Sequence, residues 1–294
     1  MATMSSGGSS SPNHETPSAS IVIPTIGRPE YLEVALGSVA GQAGALGAEV
    51  VVVNDGADEH TAAVAVRHGA RVVPIPVRAG VNGARNAGIQ AASSDVIILL
   101  DDDVRVLPGW LAAMLAGVQS NAGYEVFSGP IRGRLEGGPR ACGREPPPIS
   151  TYDFGPTDRD VPYVFGGNTV IRRSAFQRLG PFRDELSGRG DEEEWVLRFT
   201  AAGGRLRYLA AAGVDHRRTA NDARLVALSR AAYRQGKEAR RHDLRVGKTR
   251  SVAAELRILS GCLWHTVRRR CAFGIVMGAR AAGSLREALS VGQS

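Results

Sequence analysis

Three consecutive carboxylates, Asp101, Asp102 and Asp103, stand at the end of the apolar run Val96-Ile-Ile-Leu-Leu100. An unalternating run of that length reads as a strand buried on both faces, and open α/β sheets bind ligands beyond the carboxyl ends of such strands. Three crowded like charges repel one another unless a cation lies among them. Hard oxygen ligands that hold a divalent ion also in contact with phosphates are the usual protein site for magnesium or manganese. Taken alone, the triplet also reads as a solvated acidic turn that caps the following helix.

The elements needed to position such a site are visible in the hydrophobic periodicity. Strands are expected at Ser20 to Pro24, Glu49 to Val53, Arg71 to Ile75 and from Val96, with helices at Pro29 to Gly41, Glu59 to His68 and Val81 to Ala92 between them. Strands alternating with helices of about ten residues imply a parallel sheet with right-handed crossovers. A helix follows over Pro108 to Val118, its proline near the start as helix starts favour. The Gly/Pro/Arg-rich segment from Ile131 to Pro162 reads as a long irregular insertion. Order resumes over Tyr163 to Arg172, a helix from Asp191 to Ala202 and a strand from Arg205 to Leu209.

In a parallel sheet every strand end of one sense faces the same edge, so Thr25 and Arg28 after the first strand and Asp55 after the second should converge on the Asp triplet. A carboxylate such as Asp55 can accept the imide N–H of a uracil or the amino and imino protons of a guanine, and it can equally be a turn residue before Gly56. Gly80-Val-Asn-Gly-Ala-Arg85-Asn-Ala-Gly88 offers backbone N–H groups and the Arg85 guanidinium to a diphosphate at a helix start. Beyond the insertion, the run Asp191 to Glu194 is either the acidic first turn of a helix or a source of a general base. Trp195 beside it reads as core or as a wall against a sugar ring.

With these pieces in order the chain resembles the family 2 glycosyltransferases, enzymes of the GT-A fold. The likeness spans roughly residues 20–216 and rests on VIPTIGRPEYLEVALGSV, VVVNDG, GVNGARNAGI, LLDDDV, FGGNTVIRRSAFQRLGPFRDEL and GRGDEEEWVLRFTAAGG. It implies an α/β body with a mostly parallel, Rossmann-like sheet flanked by helices. The activity implied is inverting transfer of a sugar from a nucleotide-sugar donor to a hydroxyl acceptor. The expected donor is a UDP-sugar, with GDP- and dTDP-sugars open, and the acceptor a glycan, a lipid-linked intermediate or a small natural product. By the same resemblance Pro24, Thr25 and Asp55 hold the nucleoside, with Arg28 at the same edge. Arg85 lies near the diphosphate, and Gly167 and Asn168 border the donor sugar. Asp101 lies near the ribose, and Asp103, with Asp101 and His216, holds Mn2+ or Mg2+. The family's acidic pair maps onto Asp191 and Glu192, with Glu192, where Asp is usual, at the position of the catalytic base.

Past His216 the likeness fades and the charge changes. Residues 1–216 hold 19 Arg against 24 acidic residues, a net of −5, whereas residues 217–294 hold 17 Lys and Arg against 5 acidic residues, a net of +12. The expected division is a disordered segment at 1–19, a glycosyltransferase domain at 20–216 and a basic helical extension at 217–294. In the extension Val252, Leu256, Leu259, Leu263 and Val267 form an apolar stripe at helical spacing, followed by Arg268-Arg269-Arg270. Basic amphipathic helices of this kind lie on an anionic membrane, bind an anionic partner or pack on the body.

Composition limits the other classes. Cys142, Cys262 and Cys271 show no metal-ligand spacing, so no zinc site is expected and a reducing cytoplasmic setting fits. Met1 to Ser20 has neither a basic start nor an apolar core and reads as neither signal peptide nor anchor; any membrane contact is peripheral, on the inner face of the cell membrane. A dinucleotide-binding dehydrogenase is disfavoured because the first strand leads into Pro24-Thr-Ile-Gly-Arg28 rather than a G-x-G-x-x-G turn. A metal-dependent phosphatase is disfavoured because Arg105 stands two residues after Asp103. A nucleic-acid-binding protein acting through its basic tail is the non-enzymatic alternative, although no nucleic-acid partner is expected.

Overall fold

The computed structural model describes residues 18–144, 148–186, 192–245, 247 and 251–291. Nearly all of the N-terminal segment expected to be disordered, and Asp191 of the acidic pair, lie outside the described residues. Strands β1 (Ser20–Thr25), β2 (Glu49–Asp55), β3 (Arg71–Ile75) and β4 (Val96–Leu100) alternate with helices α1 (Pro29–Ala45), α2 (Glu59–Arg67) and α3 (Gly80–Ala91). They pair in the order β3-β2-β1-β4, all parallel. Their side chains explain the arrangement: Ile21, Val22, Ile23, Val51, Val52, Val53, Ile97 and Ile98 are all fully buried, as strands covered by helices on both faces must be. Helix α3 lies close over this sheet because Gly88 carries no side chain; a Cβ there would overlap the Val22 side chain. Helix α1 runs a turn beyond its expected end because Ala43 is still buried against the body.

After β4 come β5 (Val104–Val106), α4 (Trp110–Ser120), β6 (Val126–Ser128), β7 (Ile131–Leu135), β8 (Arg159–Asp160), β9 (Asn168–Arg172), α5 (Arg173–Leu179), α6 (Glu193–Ala201), β10 (Leu206–Tyr208) and β11 (Val214–Arg218). Among the described residues the main sheet has the order β3-β2-β1-β4-β9-β6-β10-β8, and β9 runs antiparallel between β4 and β6. A second sheet, β5-β11-β7, stands beside the end of β4. The segment expected to be wholly irregular therefore begins with a strand, since β7 pairs in parallel with β11 from Ile131↔Val214 to Leu135↔Arg218. Its arginines hid the pattern: Arg132 and Arg134 flank Gly133, whose missing side chain makes room for Ile149.

The basic extension is helical, with α7 (Leu225–Arg245), α8 (Val252–Arg269) and α9 (Phe273–Val291). Helices α7 and α9 touch backbone to backbone where Gly236 meets the Arg280 carbonyl and Gly283 meets that of Tyr233. A small apolar cluster of Leu228, Ala232 and Val276 reaches Leu135 of β7 and Ile149, joining the extension to the body. The stripe expected along α8 does not make this contact. Glu255 is its buried residue, whereas Val252, Leu256, Leu263 and Val267 are exposed, along with Trp264. No described helix is both long and apolar enough to cross a bilayer.

Candidate active site

Only Asp101, Asp102 and Asp103 lie between β4 and β5, with Asp102 and Asp103 in a turn. Asp102 and Asp103 share Arg28, whereas Asp101 faces Arg85. Asp102 is fully buried and accepts from the Thr25 hydroxyl at 2.6 Å and from Arg28 Nε at 3.2 Å, with a second Arg28 nitrogen on its other oxygen. Burial, with Asp103 and Asp101 adding like charge, pushes the Asp102 carboxyl up to about 7 against the pull of Arg28 and Thr25. Thr25 and Arg28, expected at the nucleotide, are thus occupied with tying the end of β1 to the triplet. Pro24, one residue earlier, lies in register with Val53 of β2.

Asp103 is the most heavily compensated group of the site. Arg218 reaches its Oδ2 at 2.7 Å, Arg28 at 3.4 Å and His216 Nε2 at 3.5 Å. Burial alone would raise its pKa, but His216, Arg218 and Arg28 outweigh that and hold the Asp103 carboxyl well below the usual carboxylate range. The antiparallel register of β5 and β11 sets His216 opposite Val104, directly after Asp103. With a strand period of two, His216 and Arg218 share the face turned to Asp103, while Asp215 on the other face pairs with Arg105 and Arg134. Nothing in the sequence singled out Arg218; its two-residue spacing from His216 on a strand was the available signal.

His216 Nδ1 lies 2.9 Å from the Ser150 carbonyl. A carbonyl only accepts, so Nδ1 carries hydrogen and Nε2 is the atom that faces Asp103. Burial works to lower the His216 pKa, and the Asp103 carboxylate more than reverses it. Such an imidazole neutralises Asp103 while protonated and presents a metal-ligand lone pair once the proton leaves, its ring already oriented by the second hydrogen bond. Two carboxylates and an imidazole with a preset tautomer are a donor set that fits Mn2+ or Mg2+.

Asp101 keeps 31% of its side chain accessible and is the member of the triplet open to the cleft. Close packing of protein around it, with Asp103 and Glu192 adding like charge, raises its pKa despite the nearby Arg85 and His216. Arg85, on α3, stands 3.7 Å from Asp101 and 3.7 Å from Glu192, bridging the two carboxylates. Glu192 also accepts the Gly166 N–H at 3.3 Å. The Gly166-Gly167 pair allows this approach. A Cβ on Gly166 would lie 2.6 Å from an Arg85 nitrogen, and one on Gly167 would lie 2.5 Å from the Asp101 carboxylate.

Two other expected residues take supporting positions. Asp55 accepts the N–H groups of Ala79 at 2.8 Å and Gly80 at 3.1 Å, which fixes the start of α3 beyond β2. The Asn168 side chain is engaged within the protein. It is fully buried, accepts from Trp110 Nε1 at 2.9 Å and donates to the Ala212 carbonyl at 2.9 Å, so only the backbone of the Gly167-Asn168 turn borders the cleft. Trp195 is core rather than a wall, stacked on Phe199 with its indole N–H given to the Gly180 carbonyl.

A parallel half-sheet ending in a carboxylate cluster, extended by an antiparallel strand and a second small sheet, is the GT-A glycosyltransferase architecture. Mannosyltransferase PcManGT from Pyrobaculum calidifontis, solved with GDP-Man and Mn2+, shares it with a TM-score of 0.59 at 14% identity, over 94% of this chain and 88% of that one. TarS of S. aureus shares it with a TM-score of 0.52 at 16% identity, over 73% of this chain and 39% of its own. Residues 20–180 match the family model for glycosyl transferase family 2, and the chain belongs to that family. A pre-mycofactocin glycosyltransferase of Mycobacterium tuberculosis is 30% identical over 187 residues, or 60% of this chain. The match spans only 39% of that relative's length.

Proposed function

We propose that the chain transfers a sugar from a nucleoside diphosphate sugar to a hydroxyl acceptor, with inversion at the anomeric carbon. The observation that carries this reading is the facing of Asp101 and Glu192 across Arg85 at the carboxyl edge of a family 2 domain, with Asp103 and His216 behind them. Asp103, Asp101 and His216 would hold Mn2+ or Mg2+, which when bound offsets the charge of the departing diphosphate. Arg85 supplies a fixed positive charge beside the same position, and Glu192, 20% exposed, is placed to take the proton of an attacking hydroxyl. The buried Asp102, held by Thr25 and Arg28, keeps the turn rigid, so its neighbours meet the donor without rearranging.

A UDP-sugar is the donor proposed first, and a GDP-sugar second because the archaeal neighbour holds GDP-Man. Thermal unfolding with a panel of UDP-, GDP- and dTDP-sugars, each with Mn2+ and with chelator, tests this. A donor at a hundred times its Kd adds about 2.7 kcal/mol of stability, so one nucleotide should raise Tm clearly in Mn2+ and not in chelator. No metal-dependent rise with any of them would contradict the reading.

The basic extension is proposed to meet an anionic membrane surface peripherally. Support comes from α8, where exposed Val252, Leu256, Leu263, Trp264 and Val267 share a helix with Arg257, Arg268 and Arg269 in a segment of net charge +12.

A further inference from the structure

Apart from the carboxylate residues, the fold gathers two thiols and an imidazole that are widely separated in sequence. Cys142 lies in the loop beyond β7, His265 near the end of α8, and Cys271 in the turn from α8 to α9. One potential ligand atom from each lies within 4.8 Å of the others. Cys142 Sγ is 3.5 Å from His265 Nε2, and the Cys142 N–H points at Cys271 Sγ at 3.3 Å. Around a tetrahedral ion with metal–sulfur bonds of about 2.3 Å and metal–nitrogen bonds of about 2.0 Å, neighbouring S and N ligands stand about 3.5 Å apart. The Cys142 to His265 separation already equals that edge.

The backbone is shaped to bring these groups together. Helix α8 ends at Arg270, which adopts the left-handed conformation (φ 48°, ψ 42°), uncommon for any residue but glycine. The turn returns the Cys271 N–H to the Thr266 carbonyl and leaves Cys271 buried beneath His265. The next residue, Ala272, donates to the Arg140 carbonyl at 3.0 Å, joining this turn to the loop that carries Cys142. The separation of 129 positions between the two cysteines explains why their spacing gave no metal signal in the sequence.

We propose that Cys142, His265 and Cys271 bind one zinc ion, with solvent in the fourth position. Binding takes a proton from each thiol to solvent and uses the His265 Nε2 lone pair; nothing is oxidised. The ion staples the loop after β7 to the α8–α9 turn and so fixes the helical extension to the body. Its ligands are soft, so it is chemically separate from the oxygen-rich site at Asp101 and Asp103.

Titration of the full-length, reduced, metal-free protein with Co2+ tests the proposal. One equivalent should give thiolate-to-cobalt charge-transfer absorption in the near ultraviolet, which Zn2+ then displaces. The band should persist in Cys262→Ser, since Cys262 is outside the group, and in Asp103→Ala, which separates the two metal sites. It should be lost in Cys142→Ser, whose side chain is only half buried, and in Cys271→Ser. Folded wild-type protein that gives no such band overturns the zinc site, as does a band that survives in the folded Cys142→Ser variant. A Cys142–Cys271 disulfide whose reduction leaves two thiols that take up no cobalt overturns it as well.

Discussion

At the scale of single residues, the triplet divides its labour by partner. Asp102 is consumed by Thr25 and Arg28, Asp103 is buried among Arg218, Arg28 and His216, and Asp101 is the one open to the cleft. The sequence made the three carboxylates conspicuous but not this division, because it depends on partners brought in by β1 and β11 from elsewhere in the chain. Asp55 and Asn168 show the same limit. Their residue types suit ligand binding, yet their polar atoms meet backbone groups from α3 and from beyond β10 that no local pattern announces. Glu192 is the residue whose role can be separated from binding. Glu192→Gln keeps the shape and the contact with the Gly166 N–H but cannot accept a proton. Transfer should fall by roughly a hundred- to ten-thousand-fold, the scale of losing a general base, with donor affinity nearly unchanged. Near-normal turnover in single-turnover assays of this variant would place the base elsewhere in the acidic run.

At the scale of elements, β1 to β4 and the helices between them were legible to within a few residues because β1, β2 and β4 are apolar on both faces and the edge strand β3 still carries Val72, Val73 and Ile75 against the core. The second sheet was not legible. β5 and β7 are short, arginine-bearing and paired only through β11, far along the chain, so tertiary pairing and not local periodicity creates them. Helix α8 presents the reverse case: its periodic stripe was legible, but Val252, Leu256, Leu263 and Val267 face solvent, while Leu259 is half-buried near Gly278 and Glu255 faces the protein. If that face meets lipid, the protein should sediment with anionic vesicles and not with neutral ones, and rising salt should release it. Leu263→Glu with Val267→Glu should abolish sedimentation while leaving Tm close to wild type, since both side chains are exposed. Equal recovery in the supernatant with both lipids at low salt would remove the membrane reading.

At the scale of the whole molecule, the mildly acidic catalytic body and the basic helical extension meet through the small cluster around Leu228 and Val276, through Asp222 on the Tyr31 hydroxyl, and through His242 on Glu193 beside the site. We propose the same division into a glycosyltransferase domain and an extension that the change in charge suggests, with the boundary within β11, whose His216 and Arg218 complete the metal end of the cleft. We propose that a divalent ion at Asp103 is what allows this cleft to hold a nucleoside diphosphate sugar. Calorimetric titration of the donor selected by the thermal panel, into wild-type protein and into Asp103→Ala with Mn2+ or with chelator, tests it most directly. The account predicts saturable binding by wild type in Mn2+ alone and none by a folded Asp103→Ala protein in either condition. Donor binding of equal strength in chelator, or undiminished Mn2+-dependent binding by Asp103→Ala, would contradict it.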